Sequence, residues 1–223
     1  KALEKLNFQV ALKTDASKSQ MQKAIRKFGN ELKHGGVGLF FYAGHGMQVK
    51  GTNYLIPVGS DIQNEDEIQD LAVSANLVLA KMETAGNPLN IVILDACRNN
   101  PFTRSFRSSQ TGLAQMDAPT GSLLVYATGP GSVAADGEGR NGLFTKYLLK
   151  HVRIPGMEVG KMLRSVRKFV IKESNNQQTP WDSSSLTGDF YFTPPPISET
   201  YEVKPQRPTV KDIESEILSV EKP

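Results

Sequence analysis

The chain has 223 residues and a mass of 24.5 kDa, a length that fits one domain with or without a tail. Counted with Gly and without Tyr, roughly 45% of it is apolar, inside the globular band, so disorder over the full length is excluded. Charge is well mixed, 26 Lys+Arg against 23 Asp+Glu for a net +3, which is no nucleic-acid footprint.

The longest apolar run, Val37 to Ala43, falls far short of the ~20 residues that span a bilayer. The single cysteine, Cys97, has no partner for a disulfide within the chain. With three histidines it makes too sparse a set for a zinc cluster.

From the N-terminus, Leu3 and Leu6 read as the last turn of a helix. Phe8, Val10 and Leu12 then alternate with polar residues and predict a half-buried strand. Ser17 with Gln20 fits a capping box, and Met21, Ile25, Phe28 and Leu32 line one face of the helix it opens. His34-Gly35-Gly36 ends it. Val37–Ala43 is a continuous apolar run and predicts a strand buried on both faces, as in a parallel sheet.

A short strand is expected at Tyr54–Pro57, then a helix capped by Ser74 and stopped by Gly86. Asn90–Ala96 and Ser122–Thr128 predict two more buried strands. Helices are expected at about 142–153 and 157–173, and a last short strand at Phe190–Phe192. Alternating strands and helices define an α/β class with a mostly parallel central sheet flanked by helices. Beyond Thr193, Pro194-Pro195-Pro196 opens a polar, proline-punctuated linker or tail over 194–223.

Two polar groups follow directly on buried strands. His45 lies in Ala43-Gly44-His45-Gly46, and Cys97 in Asp95-Ala96-Cys97-Arg98. In open parallel sheets ligands bind outside the carboxyl ends of the strands, so the two can face each other. Singly, each has a plain structural reading, a small buried hydrophobe and a core histidine. Together, with their flanking glycines and a spacing of 52 residues, they read as a nucleophile and its base.

These motifs resemble those of the caspase-like peptidases, in particular the metacaspase/paracaspase branch common in bacteria. The resemblance runs from Phe8 to Phe192. It is carried by Phe40-Phe41-Tyr42-Ala43-Gly44-His45-Gly46, by Asp95-Ala96-Cys97-Arg98-Asn99-Asn100-Pro101-Phe102, and by Trp181 to Phe192. A cysteine two residues after an acid departs from the caspase pattern, where glutamine stands at that place.

The resemblance implies a caspase-hemoglobinase-like three-layer sandwich over residues 1–193. It also implies an N-terminally incomplete domain, because members begin with a strand and the start of a helix that would precede Lys1. That segment could be supplied as a separate chain. A leader is not visible, and the compartment, bacterial cytoplasm or exported, stays open.

The chemistry expected is a cysteine endopeptidase working as a dyad, with Cys97 attacking as thiolate and His45 handling the proton. By resemblance, the backbone N–H groups of Gly46 and Cys97 form the oxyanion hole. Period-2 alternation puts Asp95 on the face of Cys97, where a carboxylate favours Arg or Lys in the substrate and disfavours Asp. Its structural alternative is a strand-end carboxylate capping backbone N–H groups. Asp136, in the loop after Thr128, is the candidate for the other wall. Arg104 and Arg107, in a polar stretch where caspases carry a cleavable linker, are candidate self-cleavage sites.

No cofactor or metal is expected. Glu65-Asp66-Glu67 resembles a calcium-attracting patch, and some metacaspases use calcium, but no ligand spacing supports it here. Gly137–Gly142 matches a dinucleotide-binding pattern by letter alone, well removed from its strand. Lys161, Arg164, Lys168 and Lys172 form a helical stripe that reads as a solvated face. The competing functional reading is a catalytically silent caspase-like module that binds peptides or partners. In either case the partner is a peptide or protein, with no nucleic acid and no membrane span.

Overall fold

A computed structural model describes residues 2–97, 112–129 and 141–196, with Cys97 described through its backbone. The sheet grows outward from two long apolar runs. Val37–Val49 (β1) and Leu89–Cys97 (β4) pair in parallel, from Val37 opposite Leu89 to His45 opposite Cys97. Ser122–Tyr126 (β5) adds in parallel on the far side of β4.

Antiparallel strands complete both margins. The end of β1 turns into Thr52–Leu55 (β2), which pairs with Val73–Ser74 (β3), and Trp181–Ser184 (β6) closes against β5. The six strands run β3-β2-β1-β4-β5-β6. The parallel strands expected from the sequence thus form the centre of a mixed sheet.

Helices cover both faces, because β4 and β5 are apolar on both. Ile91 and Ile93 share one core with Leu143–His151 (α4) and Val159–Glu173 (α5), through Phe144, Leu148, Met162, Leu163 and Val166. Val92, Leu94 and Ala96 point the other way, into a core with Lys18–Leu32 (α1) and Asn76–Ala85 (α3). A third, smaller core lies against the β1–β2 hairpin, where Ile62, Ile68 and Ala72 meet Met47, Val49 and Tyr54. Ile68 begins the short helix Ile68–Leu71 (α2).

The Ser17 box is present in full. The Ser17 hydroxyl accepts from Gln20 N–H, and the Gln20 side chain accepts from Ser17 N–H at 2.9 Å. Gly86 ends α3 in the left-handed region at φ 68°. Ser74 is a strand residue one place before the α3 cap, and its hydroxyl accepts from Asn76 N–H at 3.3 Å.

Two expected strands differ. Phe8–Leu12 has no regular secondary structure and joins no ladder among the described residues, and Leu12 is 76% exposed. Alternation marks a run able to pair, and a strand forms only when a neighbour supplies the other half of its hydrogen bonds. Along the described β1 edge over 37–44, likewise, no ladder partner is seen opposite β4, and the strand expected to be buried on both faces is partly open there, with Phe41 and Ala43 exposed.

Phe190–Phe192 makes one isolated bridge, Glu158 to Tyr191, and packs Phe192 beneath Phe8 with ring centroids 6.3 Å apart. The actual edge strand, β6, is polar, so no apolar alternation marked it. No helix among the described residues is long and apolar enough to cross a membrane.

Phe144, with no exposed surface, joins α4 to the sheet. Phe144→Ala is expected to lower the unfolding free energy by about 3–5 kcal/mol, read from urea melts. A loss under ~1 kcal/mol would show that α4 does not anchor that core.

Candidate active site

At His45 strand β1 changes partners. Up to His45 it pairs in parallel with β4, and from Gly46 it pairs antiparallel with β2. Gly46, the first residue of the second pairing, sits where space is short. A Cβ there would lie 3.0 Å from Ala96 Cβ and 3.2 Å from Leu113 Cδ2. His45 is exposed at this rim, and its backbone partner across the ladder is Cys97. Adjacent strands lie roughly 4.8 Å apart, so the pairing brings the two backbones together.

The His45 carbonyl is held twice. Ile56 N–H donates to it at 3.0 Å, and the Tyr42 hydroxyl donates to it at 2.8 Å. The same hydroxyl lies 3.0 Å from the Ile56 carbonyl. Burial pushes the Tyr42 phenol from 10.0 up to about 12, against a smaller opposing effect of the Ile56 backbone. It is therefore a neutral O–H donor throughout the ordinary pH range.

Asp95 is 8% exposed, two places before Cys97. One oxygen, Oδ2, accepts from the Thr145 hydroxyl at 2.5 Å. The carboxylate also sits against the first turn of α4, where a Cβ on Gly142 would be 3.3 Å from Oδ2. The unsatisfied N–H groups of a helix start favour an anion there. The strand-end carboxylate is thus anchored through a side-chain hydroxyl of α4. Asp136, Arg104 and Arg107 lie outside the described residues.

The margin beside β5 is fixed by residues the sequence reading passed over. Gln178, 1% exposed, donates through Nε2 to the Ala127 carbonyl at 2.8 Å. Arg167 of α5 donates through Nε to the Pro180 carbonyl at 2.7 Å and pairs with Asp182. Between them Trp181 is 43% exposed, which removes it from the core. Tyr42, Thr145 and Gln178 carried no motif of their own. Only Tyr42 stood inside one that could have pointed to it.

Among the described residues no group of three or more His, Cys, Asp or Glu could hold a metal ion. Glu67 of the acidic triplet accepts from the N–H groups of Gln63 and Asn64, which hold its carboxyl below the usual range. Lys161, Arg164, Lys168 and Lys172 are exposed along α5.

The family model described as the caspase domain matches residues 1–191. This chain belongs to the caspase-domain peptidase family. Among solved structures it is similar to caspase-1 from Spodoptera frugiperda, with a TM-score of 0.61 and 16% identity over 88% of this chain and 79% of that one. That likeness shows the fold, an α/β sandwich of the caspase type.

Among curated proteins it is similar to the human mucosa-associated lymphoid tissue lymphoma translocation protein 1, at 28% identity over 149 residues. The mouse homolog matches at the same identity. The match covers 66% of this chain but 17% of those relatives, so the chain spans under a fifth of their length.

The half-buried phenol gives a stability signature. The folded pKa of Tyr42 lies above its unfolded value of 10.0, so its contribution is complete below pH 10 and is lost as pH rises towards about 12. The wild type is expected to lose on the order of 2 kcal/mol more than Tyr42→Phe between those pH values, measured by urea unfolding. Parallel decline of both proteins would contradict the burial of this hydroxyl.

Proposed function

We propose that this caspase-domain protein is a cysteine endopeptidase that cuts after Arg or Lys, with Cys97 as nucleophile and His45 as its acid–base partner. The observation that carries the reading is the ladder register setting His45 opposite Cys97 at the carboxyl ends of parallel strands. Family membership supports the peptidase class.

In the proposed reaction the Cys97 thiolate attacks the substrate carbonyl carbon and a C–S bond forms. The oxyanion is held by the N–H groups of Gly46 and Cys97. His45, as imidazolium, gives its proton to the leaving amine as the C–N bond breaks. Water then attacks the thioester and passes its proton to His45. The acid product leaves, and the thiolate is restored.

Specificity is assigned to Asp95. Its carboxylate is buried and held by the Thr145 hydroxyl, so an acidic side chain is fixed two residues from the proposed nucleophile. A guanidinium matches that geometry, whereas an acidic substrate side chain is repelled. Asp136 is proposed as a second acid of the same pocket. Arg104 and Arg107 are proposed as sites of self-cleavage. A segment preceding Lys1, supplied as a separate chain, is a proposed partner alongside peptide substrates. No cofactor is invoked.

Cleavage of fluorogenic peptides ending in Arg or Lys should fall by about 10³-fold or more in both Cys97→Ala and His45→Ala. Retained cleavage in either variant removes the dyad. Asp95→Asn should lower kcat/KM for the Arg peptide by about 10- to 100-fold, mostly through KM. A tosyl-lysine inhibitor should label the protein in preference to an Asp-aldehyde; the reverse preference overturns the basic pocket. Intact-mass analysis should show fragments ending at Arg104 or Arg107 in the wild type and none in Cys97→Ala. Identical fragments in both exclude self-cleavage.

A further inference from the structure

We infer that Tyr42 is a positioning residue for His45, acting through a lock of hydrogen bonds that Gly44 makes room for. The inference rests on the protease reading above and assigns a role to a residue outside the dyad. It starts from a geometric problem. A strand paired on both sides has its peptide planes fixed by two ladders, but His45 stands where β1 exchanges one ladder for another. There His45 is the last residue paired with β4 and stands just before the first one paired with β2, and it is the residue whose ring must be held most closely. A misplacement of about 1 Å is enough to cost 10²-fold in rate.

The lock closes that gap with three groups. The Tyr42 hydroxyl lies 2.8 Å from the His45 carbonyl and 3.0 Å from the Ile56 carbonyl. Ile56 N–H donates to the same His45 carbonyl at 3.0 Å. The His45 oxygen therefore faces two donor groups, the Ile56 N–H and a phenol whose single proton lies between the His45 and Ile56 carbonyls. The cycle also ties β1 to the residue just past β2, so the ring of His45 hangs from a peptide fixed on two sides.

The phenol reaches His45 by folding across Gly44. A Cβ on Gly44 would stand 2.8 Å from the Tyr42 oxygen and 3.0 Å from Cζ, closer than real Cβ atoms approach or tighter than nearly all do. Glycine at 44 and tyrosine at 42 are thus two halves of one device. The tyrosine ring also packs with Phe40 against the α1–α3 core, so phenylalanine keeps the packing and deletes the hydroxyl alone.

The test is a double-variant cycle on Tyr42→Phe and Gly44→Ala, using an Arg-ended fluorogenic peptide. Tyr42→Phe is expected to lower kcat about tenfold with KM within twofold of wild type. Gly44→Ala, which keeps the hydroxyl but pushes the phenol away, is expected to do the same. The double variant is expected to be no slower than the slower single variant, because both changes break one lock.

A wild type that cleaves beside a Tyr42→Phe variant with unchanged kcat overturns the inference and leaves the protease reading standing. So does a cycle in which the two losses multiply, or a tenfold rise in KM with kcat intact. A wild type that cleaves no Arg or Lys peptide overturns both. If Tyr42→Phe fails to fold, as judged by circular dichroism, the inference is overturned, because the hydroxyl would then be structural. Gly44→Ala supplies a second reading of kcat against KM.

Discussion

The pairing of β1 with β4 is the constraint on which the rest of the molecule depends. Nine residues of each strand stand in step, from Val37 and Leu89 at one end to His45 and Cys97 at the other. A slip of one residue would turn every side chain of one strand to the opposite face. Here such a slip is costly on both faces. Ile91 and Ile93 belong to the α4–α5 core, while Val92, Leu94 and Ala96 belong to the α1–α3 core. Gly38 adds a local key, since only glycine leaves room for the Asn90 side chain, whose Oδ1 would lie 2.7 Å from a Cβ at that place. Packing energy spread over two cores is thereby converted into the placement of two residues at a rim.

At that rim the chemistry is framed by groups that belong to other elements. Asp95 is tied to α4 through Thr145, and the connection into β6 is tied to β5 and α5 through Gln178 and Arg167. Each link spans the sheet margin to a helix or a neighbouring loop. The margin beside the proposed site is thus supported by side-chain bonds as well as by ladders. Such outer supports fix the geometry that a covalent mechanism needs in place before substrate arrives.

The central strands, the four longest helices and the strand-end positions of His45 and Cys97 were legible in the sequence because they rest on local signals. Continuous apolar runs marked β1 and β4, the first bounded by glycines, and a complete Ser17–Gln20 box marked α1. What escaped depended on partners distant in sequence. Phe8–Leu12 had the alternation of a strand, but a strand is a property of two stretches of backbone, and among the described residues none pairs with it. Trp181–Ser184 had no alternation and became a strand because β5 offered it an edge. Tyr42 read as part of an apolar run. Only the folded path of β1 across Gly44 shows its hydroxyl reaching the His45 carbonyl.

The central claim is that His45 and Cys97 act on each other, and the lone thiol of the chain makes it directly measurable. Alkylation of Cys97 by iodoacetamide, followed by intact mass across pH 5 to 10, reports its thiolate without needing any substrate. An isolated thiol titrates near ~8.5, and one paired with an imidazolium titrates well below that. The wild type is expected to react already below about pH 7, with that acid limb lost in His45→Ala. Superimposable profiles from the two proteins, both rising near ~8.5, would contradict the pairing and the account built on it.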